Sequence, residues 1–299
     1  VAALNRIERL NPLLNAYITV MGEQALASAR MAEAELRRGR DRGPLHGVPI
    51  SLKDLLATRG VRTTAGSKLL ADWVPDEDAA VVRRLREAGA VILGKTNLHE
   101  FAYGPTGHVS AFGPSLNPWD RTRITGGSSG GSGASVAAGV ELGSLGSDTG
   151  GSVRMPAAYC GIVGLKPTFG LVSRTGVVPL SWTLDTIGPM TRTVEDNALL
   201  LQAMAGFDPL DPASVDRPLA ALTLPQTPDV TGLRLGVPRE YFWDDLEPAV
   251  AAATRQALAM LEGLGARLVE VSLPHAAESV AANALIIGAE AFTYHRPWL

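Results

Sequence analysis

The sequence predicts an α/β layer architecture built on a largely parallel or mixed sheet. Three observations carry this. Short apolar runs alternate with amphipathic helical segments, the β-α-β rhythm of such folds. The 299 residues are 46% hydrophobic and 19% charged, which supplies a sizeable core and too little charge for a disordered chain. Between Gly126 and Ser152, 17 of 27 residues are Gly or Ser, yet Val136, Val140, Leu142 and Leu145 stand among them. A flexible linker has no use for buried-type residues, so this window belongs inside the fold.

The elements follow in order. Residues 1–9 and about 21–39 read as helices, the second with Met31, Ala34 and Leu36 at helical spacing among Glu and Arg. Asn11-Pro12 separates them, and Ala16 to Val20 is strand-like. Val48 to Lys53 is an apolar run after Gly47, the pattern of a buried strand. Asp78 to Ala88 is helical and ends at Gly89, and Ala90 to Leu93 is a second buried strand. Ala134 to Val140 reads as a short helix inside the Gly/Ser window. Thr193 to Ala205 is a helix with Thr193 as N-cap and Asp196 three residues on. Phe207 to Gly232 holds five Pro and four Asp, too many breakers for an element, and reads as a surface excursion. Leu233 to Val237 is a strand, Glu247 to Leu264 a helix with Pro248 in its first turn, and Arg267 to Val271 a strand. The excursion is the best boundary candidate, but the elements on both sides are alike, so one domain over 1–299 is expected.

Composition excludes some functions. A net charge of −3 creates no basic field for nucleic acid. Cys160 is the single cysteine, which excludes an intrachain disulfide and a cysteine-rich zinc cluster and fits a reducing, cytoplasmic location. The longest apolar stretch, Ser279 to Phe292, is too short for a bilayer and carries Glu290, so no membrane partner is expected. The chain opens on Val1 and stops abruptly after Leu299, and is expected to be a fragment.

Two motifs tempt and fail on mechanism. Gly89 to Thr96 matches the P-loop pattern letter for letter, but its four middle residues are apolar and form the strand itself, not a polar turn after one. Gly126 to Gly130 matches a nucleophile elbow, but Arg121 to Thr125 is a poor buried strand and only His275 and His295 lie downstream. The five histidines show no zinc spacing. Cys160, between Tyr159 and Gly161, has no flanking positive charge to activate it and reads as a packed thiol.

The chemistry concentrates at Gly146 to Ala157. Gly150-Gly151 allows successive amides to point one way and form a nest for an anion or a developing oxyanion. Ser152 follows directly, placed to attack the carbonyl whose oxygen the nest holds. Asp148 and Arg154 bracket the turn and are expected to pair with its backbone or each other. A serine needs a base, and no histidine is close in sequence. The chain has only four lysines, yet Lys53 ends the buried run Val48 to Leu52, where desolvation lowers a lysine's pKa towards neutrality.

These strings resemble the amidase signature family of serine amide hydrolases. The resemblance rests on Gly126 to Gly131, Ser147 to Ser152, Cys160 to Thr168, Ser51 to Asp54 and Asn117 to Asp120, in the family's order and spacing, and runs from about residue 3 to 299. It implies a mixed, twisted central β-sheet covered on both faces by α-helices. It implies a Ser-Ser-Lys triad: Ser152 as nucleophile, Ser128 as the bridging serine after a cis bond to Gly127, and Lys53 as base. Ser129 supports that network, and the amides of Thr149, Gly150, Gly151 and Ser152 form the oxyanion hole. No metal or organic cofactor is implied. Family members are longer, so a C-terminal portion that completes the sheet and one pocket wall is expected to lie beyond Leu299.

The resemblance implies an amidase that releases ammonia or an amine from a small carboxamide through an acyl-enzyme, with a homodimer as one arrangement. The alternative is the glutaminase subunit of a tRNA-dependent amidotransferase, which would meet nucleic acid only as part of its complex. Val153-Arg154-Met155-Pro156-Ala157 and Asn97 to Gly104 favour the stand-alone amidase. A third reading, a Gly-rich anion-binding module without catalysis, needs the nest but not Lys53, Ser128 and Ser152 together.

Overall fold

The computed structural model describes residues 1–217, 222 and 229–298. The chain divides into two compact units, Val1–Leu222 with Glu290–Leu299, and Thr223–Ala289.

The first unit is built on a six-stranded mixed sheet. Its strands are β1 (Tyr17–Val20), β2 (Pro49–Lys53), β3 (Val91–Thr96), β4 (Gly143–Asp148), β5 (Val163–Gly164) and β6 (Thr186–Thr191), in spatial order β1-β3-β2-β4-β6-β5. The central strands β3, β2 and β4 are parallel, and β1 and β6 flank them antiparallel. Strands buried on both faces read as apolar runs, which is why β2 and β3 were legible and why the P-loop lookalike is strand β3, buried throughout.

Helices cover both faces. The helices of this unit are α1 (Ala2–Leu14), α2 (Gly22–Arg37), α3 (Ala80–Glu87), α4 (Gly130–Ala137), α5 (Arg154–Cys160) and α6 (Val194–Met204). Neighbouring residues of a strand point to opposite faces. Ser144 of β4 shares a hydrogen bond with Ser51 of β2 on the α4 side, whereas a side chain at Gly143 would meet Leu200 of α6. On the α4 side lie Ile7, Leu14, Tyr17, Ala25, Val91, Leu93, Ala134 and Val140, one continuous core.

Several sequence expectations are corrected here. Asn11-Pro12 does not separate two helices; α1 runs on to Leu14 and ends at Asn15, which adopts the left-handed conformation. Pro12 sits in the last turn, where little of the ladder remains to lose, and the Asn11 side chain turns forward to bond both the N–H and the carbonyl of Tyr17. Helix α4 starts at Gly130, four residues before the expected Ala134. Its glycines are there for approach: a Cβ on Gly131 would stand 2.4 Å from Ala16 O and 2.6 Å from Asn97 N. The Gly/Ser window also contains β4, which composition hid. Thr193 does cap α6, accepting from the Asp196 N–H at 3.1 Å.

The second unit holds β7 (Arg234–Pro238), α7 (Pro248–Gly263) and β8 (Arg267–Val271), a parallel β-α-β arrangement pairing Arg234 with Arg267 and Pro238 with Val271. Helix α8 (Glu278–His295) follows, and its residues from Glu290 belong to the first unit. Of the surface excursion, 218–221 and 223–228 lie outside the described residues. Its earlier part is ordered by buried carboxylates: Asp208 accepts from Ser173 and Asp211 holds Arg174. No helix among the described residues is long and apolar enough to cross a membrane.

Candidate active site

The site lies at the carboxyl ends of the parallel strands, where α/β sheets place their ligands. Lys53 is the last residue of β2 and Asp148 the last of β4. Lys53 and Ser51 point to the α4 face, so the lysine is enclosed between sheet and helix and fully buried. Its Nζ donates to Ser128 Oγ at 2.6 Å and to Ser147 Oγ at 2.8 Å. Burial pushes its pKa down to about 7, against the pull of the Asp148 and Asp185 charges.

The other buried lysine makes the contrast. Lys95 faces the opposite side of the sheet, pairs with Asp54 at 3.3 Å, and donates to Leu56 O and Thr63 Oγ1. Lys53 has no carboxylate within salt-bridge distance among the described residues. An unpaired buried amine costs free energy and is normally avoided. Here it faces only hydroxyls.

Ser128 follows a cis peptide bond to Gly127. Its carbonyl accepts the His99 N–H at 3.0 Å. Ser129 begins the link to the next turn: its N–H donates to Ser152 O at 3.2 Å, and its hydroxyl contacts both Ser147 O and Ser147 N at 3.3 Å. Ser152 is thus joined to this group through its carbonyl. Its own hydroxyl forms no hydrogen bond among the described residues, and the residue is 6% exposed.

The turn Thr149 to Ser152 is held from both ends. Asp148 Oδ1 accepts from Gly151 N at 2.8 Å, and Oδ2 accepts from the N–H groups of Val153 and Arg154. The Arg154 guanidinium forks onto the same carboxylate at 2.8 and 3.0 Å. Five donors hold the Asp148 carboxyl below its usual range despite burial. Gly151 has φ +126, a backbone geometry that side chains rarely tolerate. Its N–H is spent on Asp148, so of the four expected oxyanion donors those of Thr149, Gly150 and Ser152 remain.

Three groups had no assigned role in the sequence. Ser147 lies within the resemblance strings, but nothing in one dimension put it against Lys53. Asp185 accepts from Thr149 Oγ1 at 2.5 Å and has no local sequence signal. Glu141 is buried and accepts from Tyr17, Ser51 and Ser135, tying β1, β2 and α4 together behind the site. The alternation Ser51-Lys53 on a strand beneath a serine-rich helix was the one readable hint of that polar layer. Cys160 is buried and its thiol is pushed up to about 12 by desolvation. Among the described residues no group of three or more His, Cys, Asp or Glu could hold a metal ion.

The amidase family profile matches residues 1–297. The chain is 54% identical over 290 residues to the A-type subunit of the glutamyl-tRNA(Gln) amidotransferase of Moorella thermoacetica, and 52% identical to that of Carboxydothermus hydrogenoformans; each match covers 97% of this chain and 60% of the relative. Among solved structures, the corresponding glutamyl-tRNA(Gln) amidotransferase subunit of Thermotoga maritima superimposes with a TM-score of 0.87 at 41% identity, covering 98% of this chain and 62% of that one. The peptide amidase of Stenotrophomonas maltophilia gives 0.86 at 38% identity, covering 99% and 63%. The chain therefore belongs to the amidase family, and it spans about 60% of the length of the curated relatives it matches.

Proposed function

We propose that this chain carries the catalytic centre of a serine amidohydrolase. Neutral Lys53 draws a proton through Ser128 from Ser152, and Ser152 attacks the amide carbonyl. The amides of Thr149, Gly150 and Ser152 stabilise the tetrahedral oxyanion. Ser128, recharged by Lys53, protonates the departing nitrogen, and water releases the acyl-enzyme. The observation that carries this reading is Lys53: buried, without a carboxylate, depressed to about 7 and 2.6 Å from Ser128. A Lys–Asp pair such as Lys95–Asp54 serves structure; an unpaired lysine between hydroxyls serves proton transfer.

Of the two substrates weighed, glutamine within an amidotransferase is the better supported. The curated amidotransferase relatives reach 54% identity, and among solved structures the amidotransferase subunit stands at 41% beside 38% for the peptide amidase. This reverses the order that Val153 to Ala157 suggested. Ammonia would then pass to a partner protein, and any contact with tRNA would belong to the complex. The test is ammonia release by the full-length protein from glutamine and from simple aliphatic and aromatic amides, with and without candidate partner proteins, beside Ser152→Ala. Glutamine cleavage that needs partners is expected, with Ser152→Ala silent. Partner-independent turnover of simple amides would return the stand-alone amidase, and normal turnover by Ser152→Ala would remove the serine mechanism.

A further inference from the structure

Asp185 stands just before β6, whose first residue, Thr186, pairs with Asp148. It is 5% exposed. One carboxylate oxygen accepts from Thr149 Oγ1 at 2.5 Å. The other accepts from the N–H groups of Leu180 and Ser181 at 2.8 and 3.0 Å. The loop it closes is held from its far side as well, because Glu290 accepts from the hydroxyls of Ser181 and Thr183. Asp185 is therefore placed by its own loop.

We propose that Asp185 is a positioning residue for the oxyanion donors, fixing Thr149 as the near end of the Thr149–Ser152 turn while Asp148 fixes the far end. The proposal rests on the serine amidohydrolase reading. The two carboxylates divide the work. Asp148 occupies the amides on the helix side of the turn, which would otherwise compete for the substrate oxygen. Asp185 takes the Thr149 hydroxyl and leaves its amide free. A donor displaced by about 1 Å loses on the order of a hundredfold in rate, so a turn held at one end only would be a poor oxyanion hole.

A second consequence separates this role from mere packing. Asp185 and Asp148 are the two charges that favour protonated Lys53. Among the described residues, other charged or titratable groups near it include Arg154, spent on Asp148; His99, whose pKa burial and the Lys53 charge both lower; Glu141, held by Ser51 and Ser135 on the same face; and the Lys95–Asp54 pair on the opposite face. Removing the Asp185 charge makes the lysine easier to deprotonate, so the limb on which activity rises with pH moves to lower pH.

The experiment is the rate of covalent labelling by a fluorophosphonate, followed by intact mass against pH in the full-length protein. Ser152 Oγ bonds to phosphorus, fluoride leaves, and the serine proton passes through Ser128 to Lys53; the nest holds the phosphoryl oxygen. The variants are Asp185→Asn, Thr149→Val and Ser152→Ala. In Asp185→Asn an NH₂ group replaces one oxygen, so either Thr149 loses its acceptor or the Leu180 and Ser181 amides face a donor. Labelling is expected to slow at least tenfold, with the limb about one pH unit lower, as for loss of a neighbouring charge. Thr149→Val keeps the charge and is expected to slow with the limb in place. Asp185→Asn labelling within twofold of the parent, or slowing with an unmoved limb, would overturn the proposal. If Asp185→Asn fails to fold, Thr149→Val labelling at the parent rate overturns it. Labelling that survives Ser152→Ala, or is absent from the parent, would instead remove the serine reading beneath it.

Discussion

Replacing Lys53 with methionine should abolish turnover and stabilise the fold at neutral pH. The side chain is fully buried, and burial lowers its pKa from 10.5 to about 7. That gap is worth about 5 kcal/mol, since each pH unit of difference is about 1.4 kcal/mol. Below about 7 both folded and unfolded chains carry the proton, and the folded state bears the whole desolvation cost. Between about 7 and 10.5 the unfolded chain binds a proton that the folded chain does not, so stability rises with pH by about 1.4 kcal/mol per unit. Above 10.5 the cost is gone. Methionine, of similar volume, has no such dependence. It removes the donor to Ser128 and Ser147, about 1 kcal/mol for each hydroxyl. The variant should therefore be about 3 kcal/mol more stable near pH 7, with the advantage vanishing near pH 9. Lys95, also depressed, to about 8, is common to both proteins and cancels in the difference. Urea unfolding of both proteins at pH 7, 8 and 9 reads this directly. A stability difference that does not change with pH, or a Lys53→Met variant less stable than its parent at pH 7, would refute the reasoning.

Asp148→Asn leaves buried N–H groups of Gly151, Val153 and Arg154 competing for one acceptor oxygen. The guanidinium of Arg154 is half-exposed and can turn to water, so the cost comes mainly from the backbone, about 2 kcal/mol by urea unfolding. Fluorophosphonate labelling should fall about a hundredfold because the turn loses its far anchor; a fall below threefold would show that Asp148 does not set the turn. Gly131→Ala forces a Cβ against backbone atoms of Ala16 and Asn97 that cannot swing aside, and should destabilise by about 3 kcal/mol. A urea midpoint equal to the parent's would mean that α4 can lift off β1 and β3 at no cost.

How much of the fold was legible depends on what kind of burial each element undergoes. β2 and β3 showed as apolar runs because both are buried and most of their own side chains are apolar. Thr193 showed because a cap is local, four residues of chemistry with no tertiary partner. β4 was hidden for the opposite reason. Its sequence Gly143-Ser144-Leu145-Gly146-Ser147-Asp148 has almost no apolar content, yet every residue is buried. On the α4 face it packs hydroxyl on hydroxyl, with Ser51 against Ser144, and on the other face Gly143 makes room for Leu200. Hydrophobic periodicity cannot detect a strand whose burial is accommodated by glycine and satisfied by serine. β6 was missed likewise, since Gly188 and Pro189 read as breakers.

The site divides along the same line. Ser152 and Lys53 were named from short strings whose local chemistry is unusual, a glycine nest before a serine and a lone lysine closing an apolar run, whereas Ser128 was named only from the family resemblance. Asp185, Ser147 and Glu141 carry no such mark, since an aspartate after a leucine or a serine before an aspartate occurs anywhere. Their significance arises from the sheet. Antiparallel pairing of β4 with β6 sets Asp148 opposite Thr186, and so sets Asp185 beside Thr149. Parallel pairing of β2 with β4 runs their carboxyl ends side by side, and there the Lys53 side chain reaches Ser147. The groups that would do chemistry are written in the chain; the groups that hold them in place are written in strand register. This is why the pH limb of Asp185→Asn is the sharper test of the assembled site. The serine and lysine could be inferred without a fold, but a shift in Lys53's behaviour on changing Asp185 requires the sheet to bring the two together.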